Sequence, residues 1–127
     1  MKKMKKRWMF VIISVLSIFV LASCGSGKYD KSIDSVFSLE KDKNVWNNEE
    51  KGQINRSKSE VWVFNDGKYI EIDFPGKDYK NKPITYKRYF KLNSKDEYET
   101  ADFDTKTYIK EDAKLVYHEK NGEQVKE

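Results

Sequence analysis

Two runs with a period of two, Glu60 to Phe64 (EVWVF) and Lys68 to Phe74 (KYIEIDF), flank Asn65-Asp66-Gly67. Asp-Gly adopts the positive φ angles that a tight hairpin needs, so the middle of the chain is expected to fold as an antiparallel pair. In the second run Ile70, Ile72 and Phe74 share one face and Tyr69, Glu71 and Asp73 the other, which predicts one buried and one wet side. Pro75-Gly76 is read as the end of that strand and Lys77 to Pro83 as polar connection. Ile84 to Leu92 (ITYKRYFKL) continues the pattern, with Ile84, Tyr86, Arg88, Phe90 and Leu92 in phase. Arg88 breaks that apolar face; a bulge near Lys87-Arg88, or a guanidinium paired at the sheet edge, would reconcile it. Glu97 to Phe103 reads as a fourth strand, Lys114 to His118 as a weaker candidate, and Lys120 to Glu127 as a polar frayed end.

Ahead of the strands the period is helical. Tyr29, Ile33, Val36, Phe37 and Glu40 fall at i, i+4, i+7, i+8 and i+11, which predicts one amphipathic helix over residues 29 to 43. Asp30 and Asp34 near its start and Lys41 and Lys43 near its end suit the helix dipole. Asn44 to Ser59, apolar only at Val45, Trp46 and Ile54, reads as a loop that extends the helix by at most one turn. Trp46 there either caps the core or meets a partner, and capping is the reading we favour. The expected class is α+β, one helix on a curved antiparallel sheet of about four strands. Its core is built from 15 aromatic and 15 Ile, Leu or Val residues beyond position 23.

The first 23 residues follow different rules. Met1 to Arg7 is basic, Trp8 to Ala22 is apolar apart from Ser14 and Ser17, and Leu21-Ala22-Ser23-Cys24-Gly25 follows. This is the pattern of a secretory signal. At about 1.5 Å per residue the apolar run covers roughly 22 Å of a hydrocarbon core of roughly 30 Å, short for a spanning helix. Leu21 to Cys24 resembles the lipobox of bacterial lipoproteins. The resemblance implies cleavage between Ser23 and Cys24 and a diacylglyceryl group on the Cys24 thiol; the alternative is an incidental cysteine ending an ordinary signal. Two acyl chains anchor a protein stably where one is marginal. The expected organisation is a signal peptide (1–23), a lipidated Cys and tether (24–28), an α+β domain (29–118) and a polar tail (119–127), held at the extracytoplasmic face of the cell membrane. With the only Cys (Cys24) lipidated, no disulfide is expected.

Composition narrows function by exclusion. The chain has 25 Lys and Arg against 21 Asp and Glu, but five of the cations lie in the leader, leaving 20 against 21 beyond it. The basic pI therefore belongs to the leader and gives no support to nucleic-acid binding. His118, the only His, stands in Val116-Tyr117-His118-Glu119-Lys120 without a recognisable nucleophile and is read as a solvated residue near the frayed end. Asp102-Phe103-Asp104-Thr105 has the Asp-x-Asp spacing of some phosphatases but lacks the preceding hydrophobic strand, so turn chemistry is expected. No calcium-loop pattern, metal-ligating Cys set or Gly-rich phosphate loop is present. The expectation is a non-enzymatic protein without metal or cofactor.

The lipobox, the short tether, Lys-Tyr-Asp-Lys-Ser-Ile-Asp (28–34) opening a single helix, Val-Trp-Val-Phe-Asn-Asp-Gly-Lys-Tyr-Ile (61–70) and the Tyr-rich third strand together resemble the small cystatin-like-fold lipoproteins of Gram-positive bacteria. That family's domain has no assigned function. The resemblance implies the fold, an outer-leaflet location and, for some relatives, residence on conjugative elements. It does not imply protease inhibition: the first hairpin turn is Asn65-Asp66-Gly67, the only preceding Gln is Gln53 in Gln-Ile-Asn-Arg, and no Pro-Trp pair exists.

The surface is what remains. Tyr69, Glu71 and Asp73 on one strand and Lys87, Tyr89 and Lys91 on its neighbour are expected to form an open sheet face mixing rings with both charge signs. The leading expectation is a membrane-anchored interaction module of the cell envelope, its face controlled by Tyr89, so that Tyr89→Glu would abolish binding without altering unfolding. The alternative is a small-ligand carrier with a pocket between helix and sheet, lined by residues such as Phe37 and Phe90.

Overall fold

The computed structural model describes residues 27–126; the leader, the cleavage position and Cys24 lie outside the described residues. Helix α1 (Asp30–Lys41) carries the predicted stripe inward, burying Ile33, Val36, Phe37 and Glu40. A helical turn α2 (Asn48–Lys51) and a 3-10 turn (Arg56–Lys58) order the segment read as loop. The turn is started by a capping box, in which the Asn47 side chain accepts from Glu50 N and the Glu50 carboxylate accepts from Asn47 N.

The strands are β1 (Glu60–Phe64), β2 (Tyr69–Lys77), β3 (Pro83–Leu92), β4 (Tyr98–Thr100), β5 (Leu115–Lys120) and β6 (Glu123–Gln124). They form one antiparallel sheet in the order β4-β3-β2-β1-β5-β6. Asn65, Asp66 and Gly67 all have positive φ at the predicted hairpin turn. Val61, Val63, Ile70, Ile72, Phe74 and Phe90 pack against α1 in the core, joined by Trp46 and Ile54. Removing this face from water favours folding by about 25 cal/mol per Å² of apolar surface.

β2 does not stop at Pro75-Gly76; it runs on, with Pro75 opposite Thr85 and Gly76 opposite Ile84. Proline is tolerated because β1 begins at Glu60, opposite Asp73, so no neighbour on that side needs an N–H from residue 75. Glycine is required because a Cβ at 76 would stand 2.2 Å from Tyr86 Cε2. The fourth strand is three residues long, and the chain then enters helix α3 (Phe103–Glu111), capped by the Asp102 carboxylate accepting from Thr105 N at 3.1 Å. The segment read as a frayed end carries β6, turned back by Asn121-Gly122 with φ of 55° and 81°. The sheet therefore has six strands rather than about four.

Arg88 fits by the second of the two routes considered. The β2–β3 register is continuous through residue 88, without a bulge, and the guanidinium Nε stands 3.5 Å from Glu40 Oε2. Glu40 is fully buried. It also accepts from Lys43 Nζ and Trp46 Nε1, each at 2.8 Å, so two cations and an indole answer a carboxylate that would be costly to bury alone. Trp46 caps the core.

Candidate functional site

Register brings the six predicted face residues together: Tyr69 opposes Lys91, Glu71 opposes Tyr89 and Asp73 opposes Lys87. The same face continues across β1 and β5, where Trp62 lies between Glu71 and His118, and Glu60 between Asp73 and Lys120. The face is not open, however. Helix α3 lies across its β2–β3 part, with Ile109 and Thr105 buried, the Tyr108 ring 5.2 Å from that of Tyr69 and Lys106 Nζ 5.9 Å from the Tyr89 ring centre. Tyr89 is only 9% exposed, so Tyr89→Glu would disturb the fold as well as any contact. The cover was hidden because, among the described side chains of α3, only Thr105 and Ile109 are buried, and its sequence, Phe-Asp-Thr-Lys-Thr-Tyr-Ile-Lys-Glu, shows no apolar stripe. Its one legible signal is Asp102 three residues before Thr105.

Beneath α3 the carboxyl groups are perturbed. Burial, then the neighbouring Asp73, pushes Glu71 up to about 8, and burial also raises Asp73. Asp73 Oδ1 has no hydrogen-bond partner among the described residues, so a proton held by Glu71 relieves both the desolvation and the repulsion of the pair. Burial, with the Glu71 and Asp73 charges behind it, lifts the Tyr89 hydroxyl to about 12. Lys87 Nζ is 3.8 Å from Asp73 Oδ2 and Lys91 Nζ 3.6 Å from Glu99 Oε1.

His118 is not a solvated residue near a frayed end. Its ring stacks on Trp62, centres 5.0 Å apart and planes 13° apart, and Nε2 is 2.6 Å from Glu60 Oε2. The reason is β6, which makes β5 an interior strand.

The other side holds a second buried carboxylate. Glu119 takes Arg56 Nε on Oε2 at 3.0 Å, and both Arg56 Nη2 at 2.5 Å and the Tyr117 hydroxyl at 2.8 Å on Oε1. Arg56 also reaches Asp30 and Asp34 on α1. The hydrogen bond to Glu119 raises the Arg56 pKa further, and burial followed by Glu119 pushes Tyr117 up to about 12. This cluster ties the loop, helix and sheet together.

Phe37 and Phe90, proposed above as pocket lining, fill the space between helix and sheet as core residues. A shallow groove of about 500 Å³ opens at the far end, between Trp46, Asn47 and Gln53 on one side and Pro75, Gly76 and Tyr86 on the other. Among the described residues, the two most exposed large apolar side chains stand on the loops at this end, Tyr79 at 92% and Val45 at 73%. The sheet also has an open edge there, since β4 covers only Phe90, Lys91 and Leu92 of the ten residues of β3. Among the described residues, no group of three or more His, Cys, Asp or Glu is placed to hold a metal ion, and no helix is long and apolar enough to cross a membrane.

Residues 29–121 match the family model described as "Domain of unknown function with cystatin-like fold (DUF4467)". A curated relative, "Uncharacterized protein YddJ" of Bacillus subtilis (strain 168), is 34% identical over 82 residues, which are 65% of this chain and 64% of the relative. The aligned part thus spans less than two thirds of that protein. No solved structure matches the chain.

Proposed function

Since the chain belongs to the family of cystatin-like-fold domains of unknown function, we propose that it is a lipid-anchored, extracytoplasmic protein acting as a non-enzymatic interaction module of the cell envelope. One observation carries the reading: the end of the domain next to the lipobox and the end rich in exposed contact groups are opposite ends. Tyr29 donates its hydroxyl to Asp66 at 2.8 Å and Lys28 pairs with the same carboxylate at 3.2 Å, so the chain enters beside the β1–β2 turn. Five residues of tether from Cys24 reach at most about 17 Å. The β3–β4 turn lies at this end too, since Leu92 N donates to Lys68 O at 2.8 Å. The β2–β3 hairpin lies at the other end of a nine-residue strand, about 27 Å away at 3.4 Å per residue. An anchor at Cys24 would thus present Tyr79, Val45 and the open β3 edge away from the membrane. Attachment to a conjugative or surface assembly is the setting that the sequence resemblance suggests for such a module.

Metabolic labelling with radioactive palmitate, followed by fractionation and external protease treatment of cells, tests the anchor. The wild-type protein is expected to be labelled, sedimented with membranes and digested from outside, and Cys24→Ser to be unlabelled. Labelling of Cys24→Ser equal to wild type would overturn the assignment.

A further inference from the structure

We propose that the open edge of β3 between Ile84 and Arg88 is a strand-addition site, and that its occupant is an extended, acidic segment of a partner protein. The inference rests on the interaction-module reading and names the site and chemistry of the partner. The backbone geometry comes first. Leu92 N bonds to Lys68 O across the β2–β3 pair, and alternation in an antiparallel ladder then directs residues 90, 88, 86 and 84 toward β2 as well. Residues 85, 87, 89 and 91 turn their N–H and C=O the other way. Tyr89 O accepts from Ala101 N at 2.7 Å and Lys91 opposes Glu99 on β4. Thr85 and Lys87 have no strand beside them among the described residues, and Pro83, Ile84, Thr85 and Lys87 are exposed; the Lys87 carbonyl accepts from its own neighbour, Arg88 Nη1, at 3.0 Å, a bond that an added strand would replace. Two consecutive outward backbone pairs are what an added strand uses, main-chain bonds giving affinity and flanking side chains specificity.

The choice of occupant follows from charge. From Lys82 to Lys91 the chain carries Lys82, Lys87 and Lys91, besides Arg88, whose charge answers the buried Glu40, and no carboxylate. Lys87 and Lys91 remain 59% and 40% exposed despite their partners. A second copy pairing through the same edge would bring three more lysines beside these, whereas an acidic strand would be matched. Lysine also blunts free edges against indiscriminate pairing, so the same residues that reject a second copy select the acidic segment.

The test uses the full-length protein in detergent micelles. The probe is a fluorescent peptide, Thr-Glu-Val-Glu-Val-Glu-Thr, with Thr-Lys-Val-Lys-Val-Lys-Thr as its counterpart. Fluorescence anisotropy reads binding and hydrogen–deuterium exchange reads the segment 84–88. Thr85→Pro removes an outward N–H that no strand of the protein uses, and Thr85→Glu keeps the N–H but places a carboxylate at the edge. The expected result is binding of the acidic peptide with slowed exchange at 84–88, weakened at least about tenfold by either variant, and no binding of the lysine peptide. If Thr85→Pro misfolds, Thr85→Glu alone carries the comparison. Equal binding by Thr85→Glu and wild type, equal binding of the two peptides, or no binding of the acidic peptide would overturn the proposal. So would exchange at 84–88 that slows with protein concentration alone, which would make a second copy the occupant. Cross-linking in native membranes separates the two failures: a partner retained by Thr85→Glu removes this edge but keeps the module, and no partner for wild type removes the module.

Discussion

Replacing Arg56 by methionine leaves the fully buried Glu119 carboxylate with the Tyr117 hydroxyl in place of a two-point guanidinium contact. Breaking a buried pair by removing one partner costs about 3–5 kcal/mol, because the survivor is left charged and dry. Arg56 is 23% exposed, so some water already reaches the site, and its bonds to Asp30 and Asp34 are exposed and add little. The lower end, about 3 kcal/mol, is the expected cost. For a domain of this size that is a fall in Tm of about 12–24 °C. The assay is thermal and urea unfolding of residues 25–127 followed by far-ultraviolet circular dichroism. Arg56→Met/Glu119→Met is expected to recover to within about 1 kcal/mol of wild type, the residue being the Tyr117 hydroxyl left without its acceptor. A single variant that costs less than about 1 kcal/mol, or a double variant as unstable as the single, would refute the argument that an uncompensated charge is what Arg56 prevents.

Glu71 sets a pH dependence. Its folded pKa of about 8 lies above its ordinary value of 4.5, so the folded state binds the proton more tightly. The stability it contributes is complete below about 4.5 and is lost as pH rises through 8, and Asp73 shifts in the same direction. Urea unfolding from pH 5 to 8.5 should show stability falling with pH, and Glu71→Gln should remove most of that fall; an unchanged slope would contradict it. Gly76→Ala brings a Cβ against the Tyr86 ring and should cost about 1–3 kcal/mol, partly restored in Gly76→Ala/Tyr86→Leu, both read by urea unfolding. Ile109→Ala, which cuts the buried contact of α3, should cost about 2 kcal/mol and speed hydrogen exchange in Tyr69–Asp73 and Lys87–Lys91; unchanged exchange there would show that α3 does not shield the face.

The parts of the fold that were legible in the sequence are those whose period is local. Tyr29, Ile33, Val36, Phe37 and Glu40 are the buried residues of the first helical segment, and even the misfit Glu40 was in phase because Arg88, Lys43 and Trp46 converge on it. The alternation from 60 to 74 and from 84 to 92 marks three strands and the residues that share each face. What escaped the sequence was decided by neighbours. Pro75-Gly76 looks like a stop, but the shortness of β1 and the ring of Tyr86 make proline tolerable and glycine necessary. Asn121-Gly122 is a strong hairpin pair, obscured because its flanks, Glu119-Lys120 and Glu123-Gln124, have no apolar alternation. Helix α3 hid in the same way, and with it the fact that Tyr89 and Glu71 are covered. The six face residues were grouped correctly by pleat alone, while their accessibility depended on an element that the pattern did not show.

The proposed arrangement, a domain tethered at one end and engaged at the other, is addressed directly by site-specific photocross-linking in native membranes. A photoreactive amino acid at Ile84, beside the open edge, is compared with one at Lys95, in the β3–β4 turn at the end where Lys28 enters the domain. Irradiation should attach an envelope protein through position 84 and not through position 95, in a Cys24-dependent manner. Cross-links of equal strength from both positions, or none from position 84, would contradict the account.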